Sequence, residues 1–204
     1  MRLVPVRKLN LSLRSVLLVV VGMCGCTPVP KYPYRSEPDP RNMDYVLGPS
    51  DTIRINVWKN AELSTDAIVR PDGTVTMPLV GDVQAAGRTT RELRDEIARR
   101  LSAFLKSEET PVTVALTGVN SYRFTVSGNV ERAGAFSPKY YVTVSDAIAM
   151  AGGLNKFANG NKIVIVRNHG GRQRRIPIVY SMIQSGQRPE MDLVLLSGDV
   201  VLVP

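Results

Sequence analysis

The sequence predicts an α+β protein made of two small domains, each with one helix and several strands. Segments that alternate apolar and polar residues recur throughout residues 45–204, as half-buried strands require. Two other segments place apolar side chains at helical spacing behind a capping residue. Glycine- and proline-rich turns separate these segments, which favours short elements in compact units.

The first predicted domain covers residues 45–118. "DTIRINVW" predicts a strand, "AIVRPDGTVTMP" two strands joined by a turn, and "LVGDVQAAG" a further short β element. A helix follows, with a capping box between Thr89 and Glu92 and an ion pair between Glu96 and Arg100. "PVTVAL" alternates again and predicts the last strand of this domain.

The second predicted domain covers residues 121–204. "YRFTVSGNV" predicts a strand, and "TVSDAIAMAGG" predicts a short helix that Thr143 and Asp146 cap and Gly152-Gly153 end. "NKIVIVR", "RRIPIVY" and "DLVLLSGDVVLVP" predict three further strands. With a turn at Gly128 in the first of these stretches, the order that we predict is β-β-α-β-β-β, which is similar to that of a β-grasp domain.

Residues 1–25 are typical of a secretory signal peptide. A basic segment precedes the apolar run "SVLLVVVGM", which is too short to span a bilayer. The following "MCGC" resembles a bacterial lipoprotein signal, with cleavage between Gly25 and Cys26 and lipid attached to Cys26. A disulfide with Cys24 would close a very tight ring, and two cysteines with the single His169 are too few for a zinc site. An uncleaved membrane anchor is the remaining alternative.

The segment from 26 to 44 predicts a semi-rigid tether, because its five prolines favour extended polyproline geometry. Removal of the signal would also change the charge. The formal charge of +8 includes four basic residues before position 26, so the mature chain would carry about +4. The sequence therefore gives little indication of nucleic-acid binding, and we expect no nucleic-acid partner.

Three stretches together resemble the outer-membrane polysaccharide export family. "YVLGPSDTIRINVW" and "VRPDGTVTMPLVGDVQAAGRT" are similar to its polysaccharide export domain, and "FTVSGNVERAGAFSPKYYVTVSDAIAMAGGL" with "SGDVVLVP" is similar to its soluble-ligand-binding β-grasp (SLBB) domain. The resemblance extends over residues 45–204, and the lipoprotein signal belongs to the same pattern. Ser50 departs from it, since the family usually has glycine there, and we expect little cost in a turn.

The resemblance implies a component of a capsule or exopolysaccharide export complex in a Gram-negative bacterium. The protein would be anchored to the outer membrane by its lipid, face the periplasm, and assemble as a homo-oligomeric ring around the polysaccharide. Expected partners are an inner-membrane polysaccharide co-polymerase and an integral outer-membrane β-barrel. By resemblance, family members carry a final amphipathic helix that crosses the outer membrane, whereas this sequence ends at "GDVVLVP". We therefore expect a separate barrel to form the outer-membrane pore.

No catalytic constellation, cofactor motif or metal site is expected, so the sequence predicts a protein that is not an enzyme. The basic "RQRR" offers Arg172, Arg174 and Arg175 as weak candidates for an anionic ligand, although a solvated loop is the favoured explanation of this segment. His169 lies beside them with no nucleophile or acid partner in sequence. The alternative function is a monomeric periplasmic module that binds a glycan or another soluble ligand and regulates export.

Overall fold

The protein folds as two α+β units, as the sequence predicts. A computed structural model describes residues 30–105, 111–169 and 171–204. The elements of the first unit are β1 (Thr52–Val57), β2 (Thr65–Ile68), β3 (Thr74–Met77), β4 (Gly81–Gln84), α1 (Thr90–Leu101) and β5 (Val112–Gly118). Those of the second are β6 (Phe124–Gly128), β7 (Gly134–Phe136), α2 (Val144–Met150), β8 (Ile163–His169), β9 (Arg172–Ile178), α3 (Tyr180–Gln184) and β10 (Val200–Val203).

The first unit packs α1 against a three-stranded antiparallel sheet of order β2-β1-β5. Alternation in β1 is as predicted: Ile53 and Ile55 are fully buried, whereas Arg54 between them is exposed. Leu93 and Ile97 of α1 are also fully buried in this core. Hydrophobic burial on one face of each element therefore holds the unit together.

The turn predicted within "AIVRPDGTVTMP" is present, but its flanking strands do not pair with each other. The N–H of Gly73 donates to the Arg70 carbonyl at 2.8 Å, and Gly73 has φ +83°. β2 instead pairs with β1, and β3 forms a separate hairpin with β4. A second tight turn, with positive φ at Leu79 and Gly81, brings β4 back onto β3. The partner of β3 is therefore β4 rather than β2.

Both predicted capping boxes are confirmed. At the start of α1 the Thr89 side chain accepts from the N–H of Glu92, and the Glu92 carboxylate accepts from the N–H of Thr89. Thr143 and Asp146 make the same two hydrogen bonds at the start of α2.

The end of α2 is a Schellman motif. The N–H of Gly152 donates to the Ala149 carbonyl, and the N–H of Gly153 donates to the Ile148 carbonyl. Both glycines have positive φ.

The second unit is a five-stranded sheet of order β7-β6-β10-β8-β9, covered on one face by α2. β10 lies in the centre, parallel to β6 and antiparallel to β8. The strand predicted over "DLVLLSGDVVLVP" is shorter than expected, since only Val200–Val203 is in the sheet. The buried segment Leu193–Leu195 precedes it outside the sheet, and Val194 forms an isolated bridge with Thr143, the residue that caps α2.

The structure differs from the predicted extended tether over residues 30–44, which pack against the second unit. Residues 26–29, including Cys26, lie outside the described residues, as do Cys24 and Gly25. From Pro30 onward the N-terminal segment (residues 30–44) forms two 3-10 turns, Tyr34–Ser36 and Pro40–Asn42. Tyr34 is 3% exposed within the core of the second unit, because its ring supplies apolar area and its hydroxyl finds a backbone acceptor there.

Candidate functional site

The two units meet at the carboxylate of Asp51, which is fully buried. One oxygen accepts hydrogen bonds from the backbone N–H groups of Asn120 and Ser121, each at 2.7 Å. The other accepts from the N–H of Gly48 and the hydroxyls of Tyr45 and Ser121, each at 2.8 Å. Asp51 directly precedes β1, and Asn120 and Ser121 lead into β6. This junction therefore fixes the start of the second unit against the first.

The turn before Asp51 requires unusual backbone geometry. A Cβ on Gly48 would lie 2.5 Å from the Ser121 Cβ, so only glycine fits without movement. Ser50 has φ +75°, in the left-handed region that disfavours side chains. Its N–H donates to the Val69 carbonyl at 2.7 Å, and its carbonyl accepts from the Asn120 side chain at 2.9 Å. Serine in place of the family's usual glycine therefore costs more stability at position 50 than it would at an ordinary turn position.

Hydrogen bonding decides the charge of the junction. Burial alone would raise the pKa of Asp51, but the donors from Gly48, Asn120 and Ser121 outweigh it and hold the pKa below its usual range. Burial is also the main reason that the pKa of Tyr45 is raised. The junction thus holds one carboxylate and one neutral phenol at neutral pH.

An apolar pocket of about 330 Å³ lies beside this junction. It is formed jointly by the N-terminal segment and both units, and its lining residues are Pro38, Pro40, Met43, Asp44, Tyr45, Val46, Ser121, Tyr122, Tyr141, Leu196 and Ser197. The rings of Tyr122 and Tyr141 meet edge to face, with centroids 5.0 Å apart. Burial raises the pKa of Tyr122 to about 12. The pocket has the size and position typical of a small-ligand site.

A buried ion cluster attaches the N-terminal segment to the second unit. The guanidinium of Arg167, 2% exposed, contacts Asp199 at 2.6 Å and Glu37 at 2.9 Å. Arg174 contacts the other oxygen of Glu37 and donates to the Tyr32 hydroxyl. Burial lowers the pKa of Arg167, but the hydrogen bonds and charges of Asp199 and Glu37 reverse this and raise it. Two carboxylates and two guanidiniums therefore balance in this cluster.

The structure places the three candidate arginines on β9, an edge strand of the sheet. All three side chains are exposed to solvent. Arg172 and Arg174 share one face of the strand, and Arg175 lies on the other. Arg174 is already engaged with Glu37, so the three side chains do not converge on one ligand position.

Within residues 30–105, 111–169 and 171–204, no three histidine, cysteine or acidic side chains come together as metal ligands. None of the helices in those ranges has the length and apolar character needed to cross a bilayer.

Sequence reasoning missed both Asp51 and the Arg167 cluster as sites. A signal for Arg167 was present, because it continues the alternation of Ile163 and Ile165 on the core side of β8. An arginine at a core position predicts a buried acidic partner. No comparable signal existed for Asp51, whose partners in the connection to β6 are about seventy residues away.

Comparison with known proteins agrees with this two-unit architecture. Residues 39–117 match a family described as polysaccharide biosynthesis/export protein, and residues 123–177 match the SLBB domain. The chain therefore contains a polysaccharide biosynthesis/export domain followed by an SLBB domain.

Several relatives have names from capsule and exopolysaccharide systems. The exopolysaccharide production protein ExoF of Rhizobium meliloti is 32% identical over 58% of this chain and 30% of its own. The EPS I polysaccharide export outer membrane protein EpsA of Ralstonia nicotianae is 27% identical over 78% of this chain and 47% of its own. The polysialic acid transport protein KpsD of Escherichia coli is 25% identical over 79% and 28%, respectively. The chain spans less than half the length of these relatives.

Proposed function

We propose that this protein is a subunit of a polysaccharide export complex, in which it forms a homo-oligomeric ring around the polymer. The family match and the names of the relatives support the role in export. The observation that carries the ring is the buried Asp51 junction, which holds the two units in one orientation. A head-to-tail ring closes only if every subunit presents its two different faces at the same angle.

Native mass spectrometry and electron microscopy of the purified protein test the ring. We expect one discrete oligomer with rotational symmetry. A population that stays monomeric at concentrations from micromolar to tens of micromolar contradicts the ring. In that case the role in export would require a different form of assembly.

We also propose that lipid on Cys26 anchors the protein to the outer membrane, with the folded units in the periplasm. This proposal depends on the sequence around Gly25 and Cys26, which lies outside the described residues. Palmitate labelling should mark the wild type but not Cys26→Ala, and globomycin should block processing of the wild type. Cys24→Ala is the matched control and should label normally. Labelling that persists in Cys26→Ala contradicts the assignment.

The co-polymerase and the outer-membrane β-barrel remain sequence-based predictions about partners. Site-specific crosslinking in cells that express the complete export system tests them. We expect crosslinks from the exposed surfaces of the two units to an inner-membrane and an outer-membrane protein. Crosslinks only between copies of this chain contradict the partner assignments.

A second candidate function is a monomeric module that binds a glycan or another soluble ligand. The pocket beside the junction favours it, since the partly exposed ring of Tyr141 lines it together with exposed Ser197. Aromatic rings with a few polar groups are suited to sugar rings, which have one apolar face. Calorimetry with oligosaccharides of the exported polymer should then detect binding to a monomer, and Tyr141→Ala should weaken it. A symmetric ring without such binding favours export alone.

A further inference from the structure

The N-terminal segment determines which part of the protein is held nearest to position 26. Tyr34 is buried in the second unit and its hydroxyl donates to the Pro177 carbonyl on β9 at 2.6 Å. Glu37 is held there by Arg167 and Arg174. A tether free over residues 26–44 would reach about 60 Å, whereas the four residue-to-residue steps from Cys26 to Pro30 reach at most about 14 Å. A lipid on Cys26 would therefore hold the β9 edge of the second unit close to the membrane.

Exposed basic side chains lie on both of the segments that meet in this attachment. We call Lys31, Arg35, Arg172 and Arg174 the basic rim: all four are exposed, the first two lie on the N-terminal segment and the last two on β9, and Arg174 contacts Tyr32 of that segment. Among the described residues only Arg174 of these four forms an ion pair. The rim therefore keeps an excess of positive charge at the place where the chain leaves toward position 26.

The charge of the whole chain has the same asymmetry. Residues 121–204 contain ten Lys and Arg against five Asp and Glu, whereas residues 45–118 contain nine against ten. The second unit is thus strongly basic and the first is close to neutral. An anionic surface would attract the second unit and leave the first facing away.

We propose that the basic rim docks on anionic phospholipid headgroups of the membrane that holds the lipid of Cys26, and so sets the orientation of the protein. This inference rests on the proposed lipid anchor. Each Lys or Arg near an anionic bilayer contributes a modest, salt-sensitive attraction, and several act together over a Debye length of about 8 Å at physiological salt. A membrane fits better than an anionic polymer because the link to Cys26, at most about 14 Å long, lets the rim approach the bilayer to within that range.

The orientation can be measured with a single fluorophore. After the proposed processing the chain has no free thiol, because Cys24 is removed and Cys26 is modified. Gln173→Cys places a label on β9 beside the rim, and Thr113→Cys places one on β5 of the first unit; both positions are exposed. The lipidated protein is reconstituted in vesicles of phosphatidylethanolamine and phosphatidylglycerol that carry a headgroup quencher.

We expect strong quenching at position 173 and little at position 113. The double variant Lys31→Glu/Arg172→Glu should lower the docked fraction on the order of tenfold, as should high salt. Arg123→Glu/Arg132→Glu makes the same charge change on the β6–β7 side of the sheet, away from β9, and should leave quenching unchanged. Replacement of phosphatidylglycerol by phosphatidylcholine should also abolish the difference between the two labels.

The outcomes separate the two proposals. Palmitate labelling and flotation with vesicles, combined with equal quenching at both positions, overturn the rim but leave the anchor intact. Absence of palmitate on Cys26 overturns the anchor and the rim with it. If soluble dextran sulfate changes the signal at position 173 while the phosphatidylglycerol content does not, the rim binds polymer and the membrane proposal is wrong.

Discussion

Removal of the Asp51 carboxylate should destabilise the protein by about 3–5 kcal/mol. Asp51→Ala leaves the backbone N–H groups of Gly48, Asn120 and Ser121 without their acceptor in a buried site. Each such group costs about 1–3 kcal/mol. The hydroxyls of Tyr45 and Ser121 lose less, because they lie 2.9 Å apart and still hydrogen-bond each other. Asp51→Asn keeps one oxygen and should cost about 2 kcal/mol.

Urea unfolding followed by far-UV circular dichroism measures these free energies, and small-angle X-ray scattering tests whether the two units separate. Asp66→Ala is the matched control, because this carboxylate is 65% exposed and pairs only with Arg54 on the surface. Its loss should cost less than about 1 kcal/mol. We expect Asp51→Ala, but not Asp66→Ala, to increase the radius of gyration. Equal losses in the two variants would refute the reasoning.

The junction also predicts a pH dependence with a defined sign. The pKa of Asp51 is lowered in the folded state, so its contribution to stability is complete above the unfolded pKa of about 4. That contribution is lost as the pH falls through the folded pKa. The difference in unfolding free energy between wild type and Asp51→Asn should therefore be constant near neutral pH and shrink below about pH 4. A difference that grows on acidification contradicts this assignment.

Three further substitutions, one of them with a matched control, test other positions by the same unfolding assay. Ser50→Gly should stabilise by about 0.5–1 kcal/mol, because glycine relieves the φ of +75°; a destabilised variant contradicts this. Gly128→Ala should cost about 3 kcal/mol or more, because its Cβ would lie 2.0 Å from a backbone oxygen of β10. Gly134→Ala, with no atom within 4 Å of its Cβ, should change little, and equal effects would be a failure. Glu37→Ala should cost about 3 kcal/mol, since it leaves buried Arg167 with one carboxylate; unchanged stability would mean that the N-terminal segment does not hold the second unit.

Local signals in the sequence were sufficient for most of the elements. The capping boxes at Thr89 and Thr143, the alternation in β1 and the Gly152-Gly153 helix end are each encoded within a few residues. The ion pair from Glu96 to Arg100, at 2.7 Å, is likewise a helical neighbour contact. Such features depend on spacing along the chain, and spacing is visible without a structure.

Pairing between distant segments was not visible in the sequence. The central place of β10, parallel to β6, joins residues more than seventy positions apart. The separate β3–β4 hairpin depends on positive φ at Leu79, a residue that pattern reasoning does not mark as a turn former. In both cases many pairings satisfy the same local pattern, and only the packing of the whole domain selects one.

By itself, the sequence determined the α+β class, the two domains, the helix caps and the resemblance to polysaccharide exporters. The tertiary structure alone decided how the proline-rich segment is used. Prolines favour an extended chain, but they do not prevent the segment from packing on the second unit. There the Tyr34 side chain is buried in the core and the Glu37 carboxylate forms an ion pair with Arg167. It also decided that Asp51 is the junction between the units, because a carboxylate acquires five donors only when segments distant in sequence meet around it.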